Sequence, residues 1–198
     1  MIFRCFSPHE KTTEFAIIRI YLQCTATFNG GNIMNMVGNR VVYGIHGVCD
    51  VKAVETKKID HKEVTYLVLE PVGQPESRYL VPTHNAAAMG KLKRMFTKKE
   101  METLLMSEQG HTCNWNQNDG IRKQNYREMI NSGDREQIVA MLHALYLHKE
   151  EQAAIGRKLH LCDENFLKDA EKLIAGEISV VMEMDIHQAV QYLRQILR

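Results

Sequence analysis

Val37-Gly-Asn-Arg-Val-Val-Tyr-Gly-Ile-His-Gly-Val48 opens a pattern of short β-branched runs broken by glycine. Within it, Arg40–Tyr43 reads as a strand and Gly44–Gly47 as a glycine-bracketed turn. The extended run resumes over Val48–Val54, and Lys57–Lys62 reads as a polar connection or an edge strand. Val64-Thr-Tyr-Leu-Val-Leu69 is the strongest strand, nearly continuous and apolar. A turn follows over Pro71–Pro75, then a last strand, Arg78–Val81, stopped by Pro82. Runs of β-branched and aromatic residues bounded by Gly and Pro signal strands, and proline ends a strand because it lacks the N–H a ladder needs. Five short strands so close together predict a small, strongly bent barrel. Such a unit buries little core and leans on a neighbour.

Outward from that stretch, the period changes. From Ala86 on, apolar residues recur every three or four positions, as packed helices require. Asn85 is placed to cap a short helix, and Thr97 with Glu100 resembles a capping box. The pattern predicts a helix over 119–131 ended by Ser132-Gly133. Another is capped by Asp134 or Ser132, with Ile138, Met141, Leu142, Leu145 and Tyr146 along one face. A third opens at Cys162-Asp163 and carries Phe166, Leu167, Ala170, Leu173 and Ile174, and a last one spans 186–197. The expected architecture is therefore α+β in two domains. A Tudor/SH3-like five-stranded β-barrel over 34–84 precedes a compact all-α bundle over 85–198. Residues 1–33 are expected to lie outside the core, as an extension that is poorly ordered or not native. A start at Met34 or Met36 would account for the second case.

Composition narrows function mainly by exclusion. The chain of 198 residues has a net charge of +1, so no whole-protein field points to nucleic acid or a membrane surface. Five cysteines, Cys5, Cys24, Cys49, Cys113 and Cys162, are scattered without CxxC spacing. That pattern suits free thiols in a reducing cytoplasm and signals no metal site. No phosphate loop, HExxH or nucleophile elbow is present, so neither a catalytic residue nor a cofactor is expected. No apolar run reaches membrane-spanning length. A monomer is expected.

The single tryptophan, Trp115, stands in the polar stretch Gly110–Gly120. From the residues alone it is either a core plug or a ring held out to touch something. Val41-Val-Tyr-Gly-Ile-His-Gly-Val48, then Ala53–Thr56, Tyr66-Leu-Val-Leu69 and Val81-Pro82, resembles the domain that opens CarD-type bacterial transcription regulators. Transcription-repair coupling factor carries the same module. Asn114-Trp115, Ser132-Gly-Asp134 and the helix with Leu161, Leu167 and Ala170 are similar to the second half of CarD. The resemblance covers about residues 36–182.

The resemblance implies that the Tudor-like domain binds a lobe of the RNA polymerase β subunit by aligning strand edges, with Lys57, Lys58, Ile59, Arg78 and Leu80 as the contact residues. It also implies that Trp115 is a wedge at the upstream edge of the transcription bubble in promoter DNA, slowing bubble closure. Asn114 would contact DNA beside it, and on the helix that follows, spacings of four and five residues let Arg122 or Lys123 share a face with Arg127 and meet phosphates. Stacking on a base is worth about 1–3 kcal/mol, enough to bias an equilibrium. Residues 110–198 carry 11 Lys or Arg against 13 Asp or Glu, so this half should bind DNA weakly unless polymerase holds it there. Two positions depart from the family pattern. Lys57 stands where arginine is common and loses the bidentate fork, and Leu80 replaces a basic residue. The alternative reading is a protein-interaction module that docks on polymerase or another partner without touching DNA.

Overall fold

The computed structural model describes residues 33–107 and 115–197. The expected extension lies outside the described residues except for Ile33, which opens a 3₁₀ turn through Met36. Asn114 also lies outside them.

Five strands form one antiparallel sheet: β1 (Arg40–Tyr43), β2 (Val48–Ile59), β3 (Lys62–Pro71), β4 (Tyr79–Pro82) and β5 (Leu92–Arg94). Their order is β4-β3-β2-β1-β5. Residues 57–62, expected as a polar connection or an edge strand, form the tip of a long β2–β3 hairpin, with Ile59 paired to Lys62. Asp60 and His61 make its two-residue turn at φ 48° and 62°. Both central residues of the tightest hairpin turns need positive φ, and Asp and His tolerate it better than most. The register shifts between Val51 and Ala53, so Lys52 is an extra residue that bends the strand. As a result Val51 and Val54 both turn toward the sheet's core of Cys49, Leu67, Leu69, Val81 and Leu92.

The fifth strand comes from residues expected in the helical half. Leu92 is fully buried in the sheet's core and β5 pairs with β1, so the sheet draws on residues beyond 84. Its three residues are too few and too basic to stand out in the sequence. Among the described residues β4 and β5 do not pair. The sheet is open, and the expected barrel is matched only as far as five antiparallel strands.

The described residues also form six helices, α1 (Ala86–Met89) ahead of β5 and then α2 (Lys98–Met106), α3 (Asp119–Ser132), α4 (Arg135–Ala154), α5 (Leu161–Val181) and α6 (Ile186–Ile196). The capping residues read from sequence act as caps. Asn85 accepts from the amides of Ala87 and Ala88, Thr97 and Glu100 form the box, and Asp134 caps α4. Each satisfies amides that a helix start leaves unpaired. Ile138, Met141, Leu142, Leu145 and Tyr146 are buried, as their spacing requires, and so are Phe166, Leu167, Ala170 and Ile174; Leu173 is only partly so. Helix α6 is fastened by Arg194, whose Nε and Nη2 each donate to a Glu171 oxygen at 2.8 Å, while the Tyr146 hydroxyl donates to the same carboxylate at 2.6 Å.

The halves meet tightly. Gly133, at φ 64°, ends α3 against the turn after β1, where a Cβ on it would stand 3.4 Å from the Gly44 Cα. His46 braces that turn by ring packing, 4.0 Å from Tyr79 and 5.3 Å from Tyr43. Between the halves, Arg135 donates to Glu177 through Nε (2.6 Å) and Nη2 (2.9 Å) and to the Arg94 carbonyl (2.6 Å). Glu177 in turn accepts from the Phe96 amide at 3.0 Å. Both charged groups are buried, so the pair carries desolvation that these bonds must offset. No described helix is long and apolar enough to cross a membrane.

Candidate functional site

Trp115 is set by the start of α3. Asn118 caps that helix by accepting from Gly120 and Ile121, and the Asn116 side chain accepts from the Asn118 amide at 2.9 Å. One turn into the helix, Arg122 points inward. Its Nε and Nη2 donate to the two oxygens of Asp163 on α5 at 3.1 and 2.8 Å, and its Nη1 donates to the Asn116 carbonyl at 2.8 Å. Asp119 stands a further 2.8 Å from Nη2. The hydrogen bond from Arg122 holds the Asp119 carboxyl below its ordinary range. Arg122 is 3% exposed and Asp163 1%. A fork with these partners has little freedom left.

The Arg122 guanidinium carbon lies 4.2 Å from the indole centroid, over the ring. The His148 imidazole of α4 stacks on the same side chain, centroids 3.6 Å apart and planes 22° off parallel. Trp115 is half-buried and packs against the helical core. It is therefore neither a sealed core plug nor a fully projecting ring. It borders a cleft of about 390 Å³ whose other walls include Gln117, Gln152, Lys158 and His160. Lys158 and His160 are exposed at the cleft's edge, where Lys158 brings a positive charge. The His160 Nδ1 accepts from the Cys162 amide at 3.2 Å, capping α5. Among the described residues no cluster of His, Cys, Asp or Glu could hold a metal ion.

The residues expected beside Trp115 separate here. Arg122 joins it, but as a buried bracket; the expectation that it faces a phosphate is corrected, because Asp163 and Asp119 already claim its charge. Lys123 is half-buried and does not line the cleft. Arg127 is exposed but lines a different cleft, with Ile45, Phe166 and Lys172. Helical spacing alone missed Asp163, 41 positions away, and so could not tell an inward arginine from an outward one. His148, Lys158 and His160 were missed as well. For Lys158 and His160 the local signal is the run Arg157-Lys-Leu-His160, a basic loop between two helices; His148 has none.

A second surface lies on the sheet. Ala53 pairs with Val68, and Val68 with Leu80, so these three share one face. Alternation puts Lys57, Ile59, Val64 and Tyr66 on that face too. Ile59 and Leu80 are 47% and 43% exposed. Lys57, Ile59 and Leu80 thus come together. Lys58 falls on the opposite face, 3.7 Å from Glu63, and Arg78 is exposed just ahead of β4. Strand β1 accompanies β2 only near its start, Arg40 opposite Asp50. Among the described residues no strand lies beside β2 from Ala53 to Ile59 on that edge.

Two family models match the chain. The CarD-like/TRCF RID domain covers residues 36–93, and the CarD C-terminal domain covers residues 99–194. The first match reaches into β5, and the second reaches into α6.

Proposed function

Because the chain belongs to the CarD family, whose members are RNA polymerase-interacting transcription regulators, we propose that it binds the polymerase β subunit with the β2–β4 face and stabilises the promoter open complex with Trp115. The polymerase contact rests on the apolar face of Ile59, Val64, Tyr66 and Leu80 flanked by Lys57, next to the uncovered edge of β2. A free strand edge supplies backbone donors and acceptors, and an adjacent apolar face supplies area. Lysine at 57 gives charge without a fork, so backbone pairing and apolar packing dominate here.

The observation that carries the DNA half is Trp115 itself, half-buried, bracketed and opening on a cleft edged by Lys158 and His160. Lys158 supplies the charge for the phosphate role first assigned to Arg122, with His160 beside it. The half as a whole is slightly acidic, so its DNA contact depends on polymerase raising the local concentration. The protein acts as a monomer in the cytoplasm, where polymerase is.

A second reading has its own support: Trp115 touches the helical core, as a structural ring would, which fits a module that docks on polymerase and never meets DNA. Two captures separate the readings. Polymerase core should retain the wild-type chain and lose an Ile59→Glu/Leu80→Glu variant. A polymerase–promoter complex should bind wild type more tightly than core polymerase does, and this gain should vanish with Trp115→Ala. Equal affinity for core and promoter complex would select the module without DNA contact.

A further inference from the structure

We propose that Arg122 and His148 are positioning residues that set the Trp115 indole before DNA arrives, Arg122 as the fixed member and His148 as the adjustable one. The inference rests on the wedge reading and adds what makes the wedge stiff. Arg122 cannot swing: both oxygens of a buried Asp163, a backbone carbonyl and Asp119 hold its nitrogens. Its guanidinium over the indole is a cation–π contact in a partly dry setting, where such contacts are strongest. His148 completes the grip by stacking at 3.6 Å. It is half-buried, and its Nδ1 stands 3.2 Å from Glu151 Oε2 on the same helix. It therefore lacks the multiple buried bonds that fix Arg122.

A ring already confined loses less freedom on binding, so its contact with DNA costs less. The stack also revises the simplest picture of a wedge. His148 already stacks on the indole, so a base meets a ring whose surface is partly taken. Contact through the indole edge, with the His148 ring as the second layer of the blade, uses what remains. His148 is thus a positioning residue at the interface and not a core residue.

The sole tryptophan makes the proposal readable, because intrinsic fluorescence reports Trp115 alone. Arg122 variants risk unfolding, so the test falls on His148. In the full chain, His148→Ala should raise acrylamide quenching of Trp115 about twofold and cut its extension of open-complex lifetime about three- to tenfold, with Tm nearly unchanged. His148→Phe, which keeps a flat ring, should restore both. Unchanged quenching and lifetime in His148→Ala would overturn the proposal. So would a longer lifetime, which would mean His148 obstructs the indole. If quenching responds as expected while Trp115→Ala leaves lifetime untouched, the grip stands and the wedge reading fails.

Discussion

Two arginines treat two aromatic rings alike at opposite ends of α5. Arg122 grips Asp163 near the start of that helix, and Arg135 grips Glu177 near its end. Each also donates to a backbone carbonyl, of Asn116 and Arg94 respectively. Each lies 4.2 Å over a ring, Trp115 in one case and Phe96 in the other. The difference is in the rings. Phe96 is 7% exposed and belongs to the helical core at the junction with the sheet. Trp115 is larger, half-buried, and faces a cleft. The same bracket serves as a joint where the ring is sealed and as a mount where it is not. A buried ion pair is therefore poor evidence of function by itself; what it holds, and whether that group reaches solvent, decides.

The comparison breaks first at the carboxylates. Glu177→Gln removes the charge that serves both Arg135 and the Phe96 amide, so it should cost about 3–5 kcal/mol. Asp163→Asn leaves Arg122 with Asp119 and the Asn116 carbonyl, so it should cost less, about 2–3 kcal/mol. Chemical denaturation of the two variants checks the order. Equal losses would mean Asp119 compensates nothing.

The rings themselves give the next contrast. Phe96→Ala should cost about 3–5 kcal/mol, as for any sealed aromatic. Trp115→Ala should cost only about 1 kcal/mol, since it forfeits a cation–π contact and a stack but opens no closed cavity. A thermal melt in which both variants fall equally would make Trp115 a core residue and favour the module that never touches DNA.

A modest effect, read through pH, concerns the sheet-side end of the Phe96 joint. Arg94 donates to both oxygens of Glu100, and that hydrogen bonding, helped by Thr97, holds the Glu100 carboxyl down to about 2 from its ordinary 4.5. A depressed folded-state value stabilises above the unfolded value and is lost as pH falls through the folded one. Glu100→Gln should therefore cost about 1–2 kcal/mol at pH 7, and the gap to wild type should close between about pH 4.5 and pH 2. A gap that persists at pH 2 would assign it to lost packing.

Much of this was legible in the chain. Local signals suffice for strands such as Val64–Leu69 and for caps such as Thr97 and Asp134, because neighbours within a few residues determine them. The V-x-Y-x-x-H-G-V string and Asn114-Trp115 carried the resemblance, and the family matches extend it into α6. What stayed hidden depends on distant partners. Leu92 becomes a strand residue only because β1 lies beside it. Arg122 looks like a surface cation until Asp163 approaches from 41 positions away. The His148 stack exists only once α4 passes the loop ahead of α3. The hairpin tip at Asp60-His61 was obscured for a different reason: polar residues at a strand end look like a connection.

The most direct test of Trp115 as a mounted ring is the lifetime of a promoter open complex, measured after competitor challenge with wild-type protein and with Trp115→Ala. Wild type should prolong the lifetime while the variant, still folded and still bound to polymerase, should not. An equal prolongation by both would contradict a role for the mounted ring.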